Sequence, residues 1–465
     1  MINKVNRVEQ HIISKNHTLY KNIDRYCFLS KNLYNYSNYM IRQVFIITSK
    51  LSKEEEISQE QKVFLENINK KVDEFNKLKK LNYEKSRLKH LKENKEFKKK
   101  LIQLDYFTKD KKYLGYDFLE FLVKEDIDYK SMMSQCSQQN LRLLDKNWIS
   151  FFESIKDYKN NKSKYKGVPK LPNYKKKDGR YITIFTNQNC KHKDNFIIFP
   201  KCFDTYKLKT KIKGKLQQVR ITPRGSNYLL EVVYSLIVNY ENIESKNICG
   251  IDMGVNNLAT LTNNIGKSPI VINGKVLKSI NQYYNKSKAK IISDLMKRHN
   301  KNWSNKLGKL NTKRNNKIKD YMHKCSKKII DYCLEHELDT IVIGNNKEWK
   351  QEVCMSKKNN QNFVQIPFDM LIKMIKYKGY DANIKVILSE ESYTSGTSFL
   401  DGEEPIKGFY NKSRRIKRGL FKSNEGILIN SDVNGSYQII KKVVPKAFAN
   451  GIEGVGLHPV RVNIV

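Results

Sequence analysis

The stretch Ile251-Asp252-Met253-Gly254-Val255-Asn256-Asn257-Leu258-Ala259-Thr260 constrains the fold more than any other, because it sets a carboxylate inside an apolar strand. The run turns at Gly254 and Asn256-Asn257 and continues as a second strand. An ionised Asp in a half-buried sheet is costly unless something offsets its charge. A divalent cation does so well, since hard cations prefer carboxylate oxygens. A solvent-facing Asp at a strand end needs no such partner. The choice between the two readings turns on whether further acids arrive downstream in a matching context.

Charge narrows the partner. The 465 residues carry 88 Lys and Arg against 47 Asp and Glu, a formal net charge of +41. Such an excess suits a polyanion, because neutralising phosphates releases condensed counterions. Nucleic acid is the expected partner, with a basic membrane-surface protein as the competing reading. No uninterrupted apolar run approaches the ~18 residues of a transmembrane helix, and the polar start Met1-Ile2-Asn3-Lys4 has no signal-peptide apolar region. The expected setting is intracellular: cytoplasmic, bacterial-type and nucleoid-associated. The eight cysteines (27, 136, 190, 202, 249, 325, 333 and 354) include no C-x-x-C pair, and no His pair has zinc-ligand spacing. They read as reduced, partly buried thiols.

The chain changes texture along its length. A short strand through His11-Ile12-Ile13 precedes an aromatic-rich helical pattern from Thr18 to Thr48. Residues 50–112 are highly charged, with Val63, Leu65, Ile68, Val72 and Phe75 at helical spacing, and are expected to form a long exposed helical hairpin. Residues 130–156 give a further amphipathic helix with Leu141, Leu144, Trp148, Phe151 and Phe152 on its apolar face. Pro169 and Pro172 end the helical region, and short alternating runs from Tyr181 to Tyr240 suggest a small barrel. Beyond Ile248 the pattern is mixed α/β: a third strand at Ile270-Val271-Ile272, a long helical region to about His336, strand Thr340-Ile341-Val342-Ile343, helix Phe368 to Gly379, strand Ile384 to Leu388, and a last helix after Asp432.

Three acidic segments can reach one place. Asp252 sits in the first strand of this region, Glu390-Glu391 follow directly on the apolar strand Ile384 to Leu388, and Asp432 enters a helix. In open α/β sheets, functional groups collect beyond the carboxyl ends of strands and at helix N-termini. Three carboxylates there could hold two Mg²⁺ ions roughly 4 Å apart, one activating water and the other stabilising the leaving 3′ oxygen of a phosphodiester. Taken singly, Asp432 equally suits a helix cap and Glu390-Glu391 equally suit a solvated surface. Between Lys286 and Lys319 twelve Lys and Arg accompany a single acid, Asp294, an imbalance that suits a phosphate-tracking surface. Lys286, Lys288, Lys290, Arg298 and Arg314 in that run, with Arg414 and Arg415 in a second basic stretch, are the candidate nucleic-acid contacts.

Together these motifs resemble TnpB, the transposon-encoded RNA-guided DNA endonuclease ancestral to type V CRISPR effectors. Leu33-Tyr34-Asn35-Tyr36-Ser37-Asn38-Tyr39 and Gly167-Val168-Pro169-Lys170-Leu171-Pro172-Asn173-Tyr174 look like its N-terminal helical lobe and wedge barrel. Gly250-Ile251-Asp252-Met253-Gly254-Val255 looks like the first RuvC motif. Asn346-Lys347-Glu348-Trp349-Lys350-Gln351, with 360–367, matches the connection after the central strand, and Tyr393-Thr394-Ser395 and Asp432-Val433-Asn434-Gly435 the last two signatures. The resemblance implies a multidomain α+β chain. Its RNase H-like (RuvC) α/β nuclease domain would span 246–393 and 428–465, and its β-barrel wedge 1–20 and 161–245. A helical recognition domain would occupy 21–160, and a degenerate zinc-ribbon-like insert 394–427. It further implies Mg²⁺ as cofactor, a guide RNA of the omega (right-end-element) type and double-stranded target DNA as partners, cutting beside a short adjacent motif, and catalysis and metal binding by Asp252, Asp432 and a second acid.

Two departures shape that expectation. Many members end the strand matching Ile341-Val342-Ile343 with a catalytic Glu, where this chain has Gly344. A simple loss would leave a nuclease-inactive, RNA-guided DNA-binding repressor. Glu390-Glu391 close the strand expected alongside, so the second acid is expected to have moved, to Glu391 ahead of Glu390. The ribbon's four cysteines are matched by Ser398, Asp401, Lys422 and Glu425, which cannot form a thiolate site, so no zinc is expected. A third reading is an RNA-independent junction resolvase or transposase of the same fold. Asn434 either orients the last acid or serves an ordinary helix start.

Overall fold

The computed structural model describes residues 2–93, 96–98, 100–239, 244–345, 357–449, 451 and 456–464. The chain divides into two compact units, residues 4–237 and residues 1–3 with 238–465.

In the first unit, β1 (Ile2–Ile13) leads into helix α1 (Tyr20–Leu51) and, after a turn, α2 (Gln59–Lys92). Helix α2 opens with a capping box: the Ser58 hydroxyl accepts from Gln61 N–H at 3.2 Å, and the Gln61 side chain accepts from Ser58 N–H at 3.2 Å. Leu65, Ile68, Val72 and Phe75 are buried, as their spacing requires, while Val63 is exposed. The expected hairpin does not form. No second helix follows α2 before Gly115 among the described residues. Two asparagines of α2 hold the returning chain instead: Asn76 both donates to Leu104 O and accepts from Leu104 N–H, each at 2.8 Å. Asn69 does the same with Phe107, at 3.2 and 2.9 Å. Backbone groups satisfied this way have no need of a helix of their own.

Helices α3 (Tyr116–Val123), α4 (Ile127–Lys130) and α5 (Ser134–Asn160) complete the helical part. Leu141, Leu144 and Trp148 are fully buried, and the Trp148 indole donates to Asn38 Oδ1 on α1 at 3.0 Å. The alternating runs beyond it form β2 (Thr183–Thr186), β3 (Lys191–Lys193), β4 (Phe196–Ile198), β5 (Lys207–Lys209), β6 (Lys215–Arg224) and β7 (Asn227–Asn239). They are shared between a four-stranded sheet, β1-β7-β6-β2, and a three-stranded one, β3-β4-β5. One continuous core, from Ile13 to Val232, joins helices and sheets.

The second unit is built on a six-stranded sheet ordered β12-β11-β8-β9-β10-β15. Its strands are β8 (Ile248–Asp252), β9 (Asn257–Asn263), β10 (Ile270–Asn273), β11 (Thr340–Gly344), β12 (Lys385–Ser389) and β15 (Val460–Val462). β8, β11 and β12 run parallel, whereas β8, β9 and β10 form an antiparallel meander. Between β10 and β11 the long basic region is two helices, α6 (Lys275–His299) and α7 (Asn305–Glu335). The break lies at Asn300, whose φ of 48° is a left-handed helix stop. Helices α8 (Lys357–Val364) and α9 (Phe368–Asp381) follow β11. After β12 come the short strands β13 (Leu420–Lys422) and β14 (Leu428–Asn430) and helix α10 (Ser431–Val443).

Period-two alternation sorts the strands' side chains between two layers. Cys249 and Ile251 of β8, with Ile341 and Ile343 of β11, pack under α7 and α9. Ile248 and Val342 face the other way, against Ile439 and Ile440 of α10. Asp252 and Gly344 share the parity of Ile248 and Val342, so both face α10. Gly250 makes that packing possible: a Cβ there would lie 2.5 Å from Ser436 O. Among the described residues no helix is long and apolar enough to cross a membrane. Seven described cysteines are free, six of them buried, and Cys354 lies outside the described residues, as does the 346–351 motif.

If the Asn76 amide holds the 104–107 segment, Asn76→Ala should cost roughly 1–2 kcal/mol in chemical denaturation and speed limited proteolysis between residues 100 and 115. Asn76→Asp, which keeps the acceptor, should recover part of the protection.

Candidate active site

The register of the three parallel strands sets the site. Ile343 lies beside Ile251, and Gly344 beside Ser389, so β8, β11 and β12 end at one level with lateral spacing of ~4.8 Å. Asp252 ends β8. Glu390 and Glu391 leave the end of β12. Helix α10 starts over the same edge and brings Asp432 in its first turn, where a carboxylate also benefits from the helix dipole.

Asp432 is not its own helix cap. Asn430 accepts from the backbone N–H groups of Asp432 and Val433 at 3.0 and 3.2 Å, which frees the Asp432 carboxylate to accept from Asn257 Nδ2 at 2.7 Å. Asn257 opens β9, just past the turn after Asp252, and was not singled out from the sequence. Its side chain makes the hydrogen bond to Asp432 that was one of the two roles open to Asn434. Asn434 is fully buried and points elsewhere: its amide donates to Thr397 O at 2.8 Å and accepts from Phe399 N–H at 3.0 Å. It ties the insert to α10.

Glu391 occupies the space left by the missing side chain on β11. A Cβ built on Gly344 would clash with Glu391 Oε1 and lie 2.6 Å from both Glu391 Cγ and Ile439 Cδ1. Glu390 is turned outward and exposed, accepting from Lys442 Nζ at 2.9 Å and from Ser392 N–H at 3.0 Å. The structure therefore gathers Asp252, Glu391 and Asp432 at one edge and leaves Glu390 outside.

The electrostatics bear the mark of this crowding. Burial first, then the negative charges of Asp432 and Glu391, pushes the Asp252 carboxyl well above the usual carboxylate range, against a smaller opposing effect of Arg415. Glu391 is pushed up to about 7, mainly by burial and further by Glu390. Among the described residues no three His, Cys, Asp or Glu side chains form a ready-made cluster around one ion. The carboxylates stand as mutually repelling neighbours, and a bound divalent cation would offset their charge.

The basic candidates separate into two groups. Lys286, Lys288, Lys290, Arg298 and Arg415 are exposed. Arg314 and Arg414 are not free surface contacts. Arg314 is half-buried, donating to Asn281 Oδ1 at 2.9 Å and Gln365 O at 3.3 Å and lying 5.2 Å from the Tyr284 ring centre. Arg414 is 17 % exposed and pairs with Glu403 at 2.7 Å and Asp401 at 3.6 Å. In the insert, Ser398 and Asp401 serve this polar knot: the Ser398 hydroxyl accepts from Asp401 N–H at 3.3 Å, and Asp401 Oδ2 accepts from Asn424 N–H at 2.8 Å. Phe399 stacks on Tyr437 of α10 at 4.6 Å within a small core that includes Phe421 and Val433.

Residues 231–350, including Asp252 and Gly344, match the OrfB_IS605 family model, described as a probable transposase. Residues 368–439, including Glu391, the insert and Asp432, match the Cas12f1-like TNB domain. These matches support the likeness to TnpB read from the motifs. No curated protein matches the chain. Among solved structures, the Cas12f1–sgRNA–target DNA complex is similar at 13 % identity, covering 94 % of this chain and 98 % of that one, with a TM-score of 0.33. A CRISPR-Cas12f ternary complex is 14 % identical over 82 % of each chain, with a TM-score of 0.34. The mini-RNA-guided endonuclease CRISPR-Cas_phi3 is 12 % identical over 49 % of this chain and 51 % of that one, with a TM-score of 0.33.

A folded-state pKa raised above its unfolded value makes Glu391 destabilising once it ionises. Without divalent ions, stability should fall as pH rises from about 4.5 through about 7. Glu391→Gln should flatten this loss and stabilise the protein at pH 8 by roughly 1–3 kcal/mol, measured by urea titration at several pH values. Arg414→Ala should cost about 3 kcal/mol by stranding two buried carboxylates, whereas Arg415→Ala should leave the melting temperature unchanged.

Proposed function

We propose that this chain is an RNA-guided, Mg²⁺-dependent DNA endonuclease of a transposable element, cutting target DNA beside a short adjacent motif. The observation that carries the reading is the convergence of Asp252, Glu391 and Asp432 at the carboxyl edge of β8, β11 and β12, with Glu391 filling the place that Gly344 leaves open. The strand order, with its antiparallel meander β8-β9-β10 and parallel β11 and β12, is what an RNase H-like nuclease requires. The matched families and the +41 charge support a nucleic-acid substrate.

Divalent ions bound there would activate water and stabilise the leaving 3′ oxygen. The chain's own groups have distinct tasks. Asp252 is held at a strand end against α10, where a Cβ on Gly435 would be 3.1 Å from its Oδ2. Asn257 fixes one oxygen of Asp432 and leaves the other for a ligand. Glu391 is backed by Ile439 and the bare Gly344, and Lys442 keeps Glu390 aside. Arg415, exposed and close enough to lower the Asp252 pKa, is placed to meet a phosphate. The wedge (1–20 and 161–245) and recognition (21–160) regions would grip the guide RNA and the guide–target heteroduplex, so that base pairing reads the sequence and the protein reads only the adjacent motif. Glu391, at the place a second acid would take, favours this reading over a nuclease-inactive repressor.

Cleavage of a plasmid target with guide RNA and Mg²⁺ tests this. Asp252→Asn, Asp432→Asn and Glu391→Gln should each slow cutting by roughly 10²–10³-fold without loss of guided binding, and EDTA should stop it. Glu390→Gln should cut normally. The exchange Gly344→Glu with Glu391→Gly should recover part of the activity lost in Glu391→Gly alone. Full cutting by Glu391→Gln would refute the assignment, and purification free of RNA after expression with flanking DNA would refute the guided reading.

A further inference from the structure

Helices α6 and α7 enclose a cavity of about 250 Å³ lined by Tyr283, Tyr284, Leu310, Lys313, Arg314 and Lys317 among others. It lies below the roughly 300–1,000 Å³ common for drug-sized ligands, so it suits one flat ring system. Its walls differ in rigidity. Tyr284 is fixed, its hydroxyl donating to Asn311 Oδ1 at 2.5 Å with the Arg314 guanidinium over its ring. Arg314 is itself held by Asn281 and Gln365. Tyr283, beside them, is 66 % exposed, so its ring is open to a ligand. Lys313 and Lys317 are one helical turn apart on α7, both exposed, and neither makes an ion pair among the described residues.

We infer that this cleft captures one unstacked nucleotide of a single-stranded DNA. Tyr283 would offer the stacking face, Tyr284 with Arg314 the fixed floor, and Lys313 and Lys317 the flanking phosphates. A ring platform beside a basic rim is how proteins track single strands without reading sequence, because every base has a π-face. The cleft is tied to the acidic edge through its own helix. Lys278, near the start of α6, donates to Asn256 Oδ1 at 2.8 Å in the turn that follows Asp252, and Tyr283 stands five residues, ~7.5 Å of helix rise, farther on. A strand passing the carboxylates would be held a short distance away. The choice of DNA over RNA rests on the cleavage reading above, whereas the stacking cleft does not.

The test uses the full chain in EDTA, so that no strand is cut, and a fluorescein-labelled unpaired DNA oligonucleotide containing 2-aminopurine, with an RNA of the same sequence alongside. Wild type should bind the DNA and quench the 2-aminopurine. Tyr283→Ala should weaken binding roughly 5- to 150-fold and abolish the quench with an unchanged melting temperature, and Tyr283→Phe should restore both. Lys313→Gln with Lys317→Gln should keep the quench but lower the slope of log affinity against log salt by about 1.4. DNA binding and quenching untouched by Tyr283→Ala would overturn the inference. So would a Tyr283 dependence confined to RNA, or no DNA binding by wild type. Plasmid cutting plays no part in the readout, so failure here and failure of the nuclease reading are told apart.

Discussion

Like charges pressed together at the end of a parallel sheet govern the second unit. Asp252, Glu391 and Asp432 come from sequence positions far apart, and burial raises the cost of ionising Asp252 and Glu391. Such an arrangement is unfavourable for folding and is held by packing that leaves it no alternative. Ile248 and Val342 lock the sheet against Ile439 and Ile440 of α10, while Cys249, Ile251, Ile341 and Ile343 anchor the opposite face under α7 and α9. Local destabilisation supported from elsewhere is what the proposed cation site would require.

On the proposed reading, Gly344 and Glu391 exchange places, so that a position in space is kept while its place in the chain changes. Parallel neighbours in register deliver their ends to one edge, so an acid just beyond β12 can serve where β11 has only a glycine. The glycine is then a requirement as well as a loss, since any side chain at 344 would collide with the Glu391 carboxyl. The insert follows the same logic. Arg414 with Asp401 and Glu403, and Phe399 stacked on Tyr437, hold the insert together.

What could be read from the sequence was what local pattern encodes. The apolar strand before Asp252, the strand before Glu390, the helix from Phe368 and the helix behind Asp432 all carry periodicities of two or 3.6, and each appears within a residue or two of its expected bounds. Partners set by distant contacts were not legible. Nothing near Asn434 reveals that it faces Thr397 and Phe399, and nothing near Asn257 announces that it holds Asp432, 175 positions away. Arg314 and Arg414 look in sequence like their basic neighbours, and only burial tells them apart. The 50–112 hairpin failed for a related reason: Asn69 and Asn76 satisfy the backbone of the returning chain, an arrangement that helical spacing does not record.

The most direct measurement is a crystal structure of the protein with Mn²⁺ in place of Mg²⁺, located by anomalous scattering. The account predicts ions bound by oxygens of Asp252, Glu391 and Asp432 at the ends of β8, β12 and the start of α10, with Glu390 still paired to Lys442. Ions held by Glu390 instead of Glu391, or no ion at this edge at millimolar Mn²⁺, would contradict it.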